Sequence, residues 1–160
     1  LAQLLMNAAK AGSNVFICGN GGSAGNAMHL ANDFIYGVDP SGKSALNVEA
    51  LTANSSVVTC LGNDIGYEGI FSHQLKVKGK ADDILIVLSG SGNSSNIINA
   101  LTVAKEIGIK SAAILGYQGG KALNICDTPI HFAINDMQIA EDLQIIVGHM
   151  LMQHLARELS

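Results

Sequence analysis

The stretch Ile84–Leu88 reads ILIVL, and SGSGNSSN follows it at once before a new apolar period opens with IIN. Five branched aliphatic side chains without polar alternation describe a strand covered on both faces, the signature of a parallel sheet held between layers of helix. No other segment limits the fold so strongly. The residues after it limit the chemistry. Ser89, Ser91, Ser94 and Ser95 carry hydroxyls, while Gly90 and Gly92 let main-chain N–H groups crowd one point, at the start of a helix whose dipole favours an anion. A phosphate fits there. A serine-rich turn could also serve only to cap the helix, with Asn93 or Ser94 as N-cap. Capping needs one such residue, and this loop supplies at least four.

The rest of the chain alternates in the same way. Apolar spacing predicts a helix over Leu1–Ala11 closed by Gly12, a buried strand Val15–Cys18, a helix stopping at Gly37, a loop Val38–Ser44, a strand Ala45–Val48 and a helix Leu51–Leu61. After a break at Gly62–Gly66 come a helix Tyr67–Val77, the strand Ile84–Leu88, a helix Asn93–Ile107 ended by Gly108 and a strand Ser111–Leu115. A short helical piece Lys121–Ile125, a strand Thr128–Phe132 and a long helix Met137–Leu159 complete the pattern. Strands alternating with helices imply an α/β fold, a doubly wound parallel sheet of about five strands flanked by helices, as one domain over residues 1–160. In such sheets ligands bind beyond the carboxyl ends of the strands. The Gly-rich turns after Cys18, Leu88 and Leu115 are therefore expected along one rim.

Composition sets the outer bounds. With 48% hydrophobic, 4% aromatic and 14% charged residues, Ala, Ile, Leu and Val must build the core, and few charges remain to solvate a surface. Part of that surface is expected to be buried against other copies of the chain. A net charge of −4 and the lack of any Lys/Arg cluster argue against direct binding of nucleic acid. No segment has the apolar length of a transmembrane helix and Leu1–Lys10 lacks signal-peptide features, so a soluble protein with no membrane partner is expected. The chain starts at Leu1 without a methionine, and an N-terminal piece is expected to be missing. Cys18, Cys60 and Cys126 are odd in number and set in apolar runs, which predicts buried, structural free thiols of a reducing cytoplasm.

Gly19-Asn20-Gly21-Gly22-Ser23-Ala24 fits the G-x-G-x-x-A pattern of dinucleotide sites, with Glu49 as a conceivable ribose acid. Glu49 comes 25 residues beyond Ala24, however, and a serine loop on the middle strand has no task in such a site. Neither glycine loop ends in G-K-[ST], which disfavours a nucleoside triphosphatase. His29 and Asp33 lie four apart in the next helix and share a face, a spacing that suits a metal, acid–base work or an ordinary helix-surface pair. Glu141 and His149, eight apart in the last helix, share another face amid apolar residues. Two histidines and two carboxylates could converge on one divalent ion, zinc by ligand type, or be satisfied core or interface residues. His73, His131 and His154 are expected in solvated roles.

With these residues in view, the chain resembles the sugar isomerase (SIS) domain family, and within it the branch that isomerises sedoheptulose 7-phosphate for heptose biosynthesis. The likeness spans nearly the whole sequence. It rests on Gly19-Asn20-Gly21-Gly22-Ser23, Ala27-Met28-His29, Gly62-Asn63-Asp64, Ser89-Gly90-Ser91-Gly92-Asn93-Ser94, Gly119-Gly120-Lys121 and the terminal helix with His149. The resemblance implies a flavodoxin-like three-layer sandwich, a cytoplasmic homotetramer with a longer N-terminal helix, and a role in lipopolysaccharide or capsule synthesis. It implies that Ser23, Ser89, Ser91 and Ser94 hold the sugar phosphate with Gly21, Gly22 and Gly90, that Asn20 and Asp64 contact the sugar, and that His29 and His149 belong to a zinc site completed by Asp33 and Glu141. Asp33 stands where the family carries glutamate, Glu141 where it carries glutamine, and Gln138 where it carries aspartate. Asp33 or Glu141 is the expected base and His149 the proton shuttle of an aldose–ketose isomerisation. A non-catalytic phosphosugar sensor or partner-binding protein is the competing expectation.

Overall fold

The ILIVL segment is the middle of the sheet. In the computed structural model, which describes residues 1–159, five strands run parallel: β1 (Asn14–Gly19), β2 (Asn47–Ala50), β3 (Ile84–Ser89), β4 (Lys110–Leu115) and β5 (Thr128–His131). Their order is β2-β1-β3-β4-β5, and every residue of β3 is buried. Among the described residues seven α-helices cover the faces: α1 (Ala2–Ala11), α2 (Gly22–Asn32), α3 (Ser55–Asp64), α4 (Ser72–Lys78), α5 (Ser95–Ile107), α6 (Ala122–Ile125) and α7 (Met137–Leu159).

Because successive strand residues point to opposite faces, β1 and β3 divide their side chains between two cores. Val15, Ile17, Ile84, Ile86 and Leu88 pack with Leu5, Leu30, Phe34 and Leu155, residues of the layer formed by α1, α2 and α7. Phe16, Cys18, Leu85 and Val87 pack with Phe71, Leu75, Ile97 and Leu101, from the layer that holds α4 and α5. Each such side chain, fully buried, stabilises the fold by about 1.5–3 kcal/mol. The chain leaves β1 toward β2, then crosses back over β1 to reach β3. The two connections thus part between β1 and β3, where a crevice opens at the strand ends.

Several boundaries differ from the spacing-based expectation. The second strand covers Asn47–Ala50, not Ala45–Val48, and the next helix begins at Ser55 because the Asn54 side chain accepts a hydrogen bond from the Val57 N–H at 3.1 Å. A cap of this kind outweighs the apolar pattern that begins at Leu51. Tyr67–Val77 is not one helix but a 3-10 turn, Tyr67–Gly69, followed by α4. After Asn32 the second helix widens into a π-helical turn, Asp33–Gly37. Glu49 lies inside β2 and is ion-paired with Lys78, so it is not free to act as a ribose ligand. Cys60 is exposed, contrary to the expectation of burial, whereas Cys18 and Cys126 are buried. Among the described residues no helix is long and apolar enough to cross a membrane.

Candidate functional site

The loops that follow β1 and β3 meet in the crevice. Asn20, Gly21, Gly22, Ser23, Leu88, Ser89, Gly90, Ser91 and Ser94 line a pocket of about 250 Å³, closed on the far side by Met137 and Glu141 of α7. Ser89 Oγ accepts the Gly92 N–H at 3.0 Å, and Ser91 Oγ accepts the Asn93 N–H at 3.3 Å, so both hydroxyl hydrogens can turn outward. Ser94 occupies the N-cap of α5 with extended backbone, yet its side chain makes no cap bond. Its hydroxyl is left for a ligand, beside N–H groups in the first turn of a helix that lack intrahelical acceptors. The pocket lining includes no lysine or arginine; Glu141 is its one charged side chain.

The third Gly-rich turn lies on the same rim, behind the serine loop. Gly116 N–H donates to Gly90 O at 3.0 Å, Ala122 N–H to Gly92 O at 3.0 Å, and Lys121 N–H to Asn93 Oδ1 at 3.1 Å. Gly92 has φ +65°, and a Cβ there would fall 2.0 Å from the Gly119 oxygen, so only glycine allows the two loops to touch. A second brace was not foreseen from the sequence. Asn20 and Asn96 exchange amide hydrogen bonds at 2.8 and 2.9 Å, and the Tyr67 hydroxyl donates to Asn20 Oδ1 at 3.0 Å. The only signal for Asn96 is a buried amide in an otherwise apolar helix face, which requires a partner.

Two turns along α2 lies a second group. His29 Nε2 and His149 Nε2 are 2.9 Å apart, and Asp33 Oδ2 stands 3.4 Å from the first and 3.3 Å from the second. The rings meet edge to face at 72°. Asp33 opens the π-helical turn, a local widening that often accompanies function. Two imidazole nitrogens and one carboxylate oxygen, all within 4.8 Å of one another, match the three protein ligands of an open zinc site. At zinc bond lengths of roughly 2.0–2.1 Å, tetrahedral ligand atoms lie about 3.3 Å apart, close to the two distances to Asp33.

Two expected members are elsewhere. Glu141 does not join the histidines; its carboxylate lies over the α-carbon of Gly22, where a Cβ would meet Oε2 at 2.2 Å, and it belongs to the serine pocket. Its helix runs on for two further turns before presenting His149. Asp64 is exposed at the end of α3, accepting from Asn63 Nδ2 at 2.8 Å and from the Cys60 thiol at 3.5 Å, outside that pocket. The Asp64 carboxylate holds the Cys60 thiol above its ordinary pKa. His131, expected in solvent, is half-buried with Nε2 3.0 Å from the Tyr117 oxygen.

Comparison with known proteins gives a consistent picture. A family model described as SIS domain matches residues 1–116. The chain is 40% identical to the phosphoheptose isomerase of Clostridium acetobutylicum, over 99% of this chain and 81% of that protein. It is 36% identical to the enzyme of the same name from Akkermansia muciniphila, over 99% and 84%. Among solved structures, phosphoheptose isomerase from Neisseria gonorrhoeae superposes with a TM-score of 0.89 at 30% identity, covering 96% of this chain and 82% of that one.

Proposed function

The chain belongs to the SIS domain family, and from that membership we propose that it is an aldose–ketose isomerase interconverting sedoheptulose 7-phosphate and an aldoheptose 7-phosphate. The observation that carries this reading is the serine pocket, an anion site of hydroxyls and main-chain amides with a carboxylate, Glu141, at its edge. Such a site holds a phosphate ester by fixed dipoles at strand and helix ends.

In the substrate the phosphate and the reacting carbonyl stand at opposite ends of the carbon chain. The protein's two groups are likewise set apart along one helix, since His149 follows Glu141 by eight residues, a backbone rise of roughly 12 Å at 1.5 Å per residue that the side chains must lean inward to bridge. With the phosphate in the serine loop, Glu141 accepts hydrogen bonds from sugar hydroxyls next to it, and Asn20 reaches the chain with its remaining N–H. Asp33 and His149 act at the carbonyl end. The carboxylate takes a proton from the carbon beside the carbonyl and returns it to the neighbouring carbon, while the imidazole moves the hydroxyl proton. Remote binding of the phosphate positions the reacting atoms.

His29, Asp33 and His149 would hold a zinc ion, which when bound would supply Lewis-acid stabilisation of the enediolate oxygens in place of the proton transfer by His149, whose Nε2 it would take. A carboxylate has two oxygens, so Asp33 can offer one to a cation and keep the other for the proton. Exposed Met28, Ile35, Tyr36, Ile146 and Met150 occupy the same turns as this group, a surface suited to burial in a cytoplasmic homotetramer. A place in the supply of heptose for surface polysaccharide follows from the substrate.

The test is incubation with sedoheptulose 7-phosphate in deuterated buffer, read by NMR. Aldose formation with solvent deuterium at the transferred position is expected, and Asp33→Asn should abolish it while phosphosugar binding persists. Failure to convert this or shorter phosphosugars would overturn the proposal. Metal analysis of protein purified without chelator should find zinc; its absence removes the metal assignment alone.

A further inference from the structure

We propose that Asn26 and Gln144 are positioning residues that hold α2 and α7 in the register on which the isomerase site depends; the proposal rests on the function inferred above. The two helices run side by side in the same direction. Gly22 faces Glu141, Leu30 faces Gly148, His29 meets His149 and Gly37 faces Met152. Asn26 sits between the two halves of the site, one turn after Gly22 and one turn before His29 and Leu30. Its Nδ2 donates to the main-chain oxygen of Glu141 at 3.0 Å and to Gln144 Oε1 at 2.9 Å.

The orientation of this pair is forced. A main-chain carbonyl only accepts, so Glu141 dictates that the amide nitrogen of Asn26 faces α7, and Gln144 must then present its oxygen. Among the described residues the Gln144 Nε2 is left buried without a hydrogen-bond partner, in a residue 1% exposed. For stability alone this is a poor arrangement, since the donor loses its hydration and receives nothing in return, and an apolar side chain would avoid the loss. What the amide supplies is direction. Gly148 against Leu30 sets how closely the helices approach, because a Cβ on Gly148 would fall 2.1 Å from Leu30 Cδ2. The forked hydrogen bond from Asn26 sets their relative rise and rotation. A rotation of α7 by one residue, about 100°, would carry His149 off His29 and Glu141 off Gly22 together.

Gln144→Met removes the acceptor and the orphaned donor at once while keeping an unbranched chain of similar length. The expected result is an unchanged or raised Tm, kcat on sedoheptulose 7-phosphate lower by roughly tenfold to a hundredfold, and KM within about twofold, because misplacement near the chemistry is costly while the phosphate grip is remote. The ring nitrogen resonances of His29 and His149 should shift in nitrogen-15 NMR, and they should not in the exposed-site control Gln153→Met. Asn26→Asp, which sets an acceptor against the Glu141 carbonyl, should show the same signature, and the double variant should be no worse than either single one. Wild-type kcat with unmoved histidine resonances in both single variants would overturn the proposal, as would a loss of kcat that merely follows a fall in Tm. If the wild-type protein turns over no phosphosugar, the proposed function fails, and the histidine spectra still decide whether the amide pair positions α7.

Discussion

At Gly22 a single methyl group would compete for space with the carboxylate of Glu141. The obstructing atoms are the far end of a flexible side chain, so Gly22→Ala should fold with nearly the native Tm, yet displace Glu141 from the serine pocket. A clear fall in kcat/KM is expected; unchanged kinetics would show that the carboxylate need not sit there. Cys18 makes a different residue-scale prediction. Complete burial holds its thiol protonated far above the ordinary pKa, and Cys126 is shifted the same way by partial burial. As pH rises past the ordinary thiol range, the unfolded chain loses protons that the folded chain retains, so stability falls, by up to about 1.36 kcal/mol per pH unit for each such group. Thermal melts from about pH 8 to about pH 11 should show this decline, and Cys18→Ala should flatten it.

At the scale of elements, the proposed phosphate grip depends on loops that touch main chain to main chain. Gly92→Ala combines a left-handed φ with a Cβ 2.0 Å from a carbonyl oxygen, and should cost more than about 2 kcal/mol along with phosphosugar affinity. By contrast, Gly25 lies within α2 with open space around it, and Gly25→Ala should stabilise the protein by up to about 1 kcal/mol in chemical denaturation. The serine loop was legible because its strand, its glycines and its hydroxyls are adjacent in sequence. The sheet was legible from alternation of apolar periods, and its switch point follows from the strand order. Boundaries set by one side chain were not, as Asn54 shows at the start of α3. Nor could spacing separate Glu141 from His149: both lie on the face of α7 toward α2, but which level of α2 each one meets depends on packing between distant segments. Asn26 and Gln144 left no pattern, and Asn96 only the oddity of an amide in an apolar face, because a half-buried or buried amide is interpretable only once its partner is known.

The whole molecule exposes more apolar surface than its two cores require. Tyr36 is 65% and Met150 66% exposed, and both stand on the turns that carry the histidine cluster. If a homotetramer covers them, Met150→Glu should shift the protein toward monomers in light scattering, with activity falling in parallel; an unaltered mass would place the interface elsewhere. The parallel pairing of α2 with α7 also has a consequence in time. His29 and His149 are separated by 120 residues, so at roughly 5–20 residues per second a ribosome delivers the second imidazole many seconds after the first. On the proposed function, a nascent chain that has made both glycine-rich loops holds only half of its machinery, because Glu141 and His149 arrive together with α7.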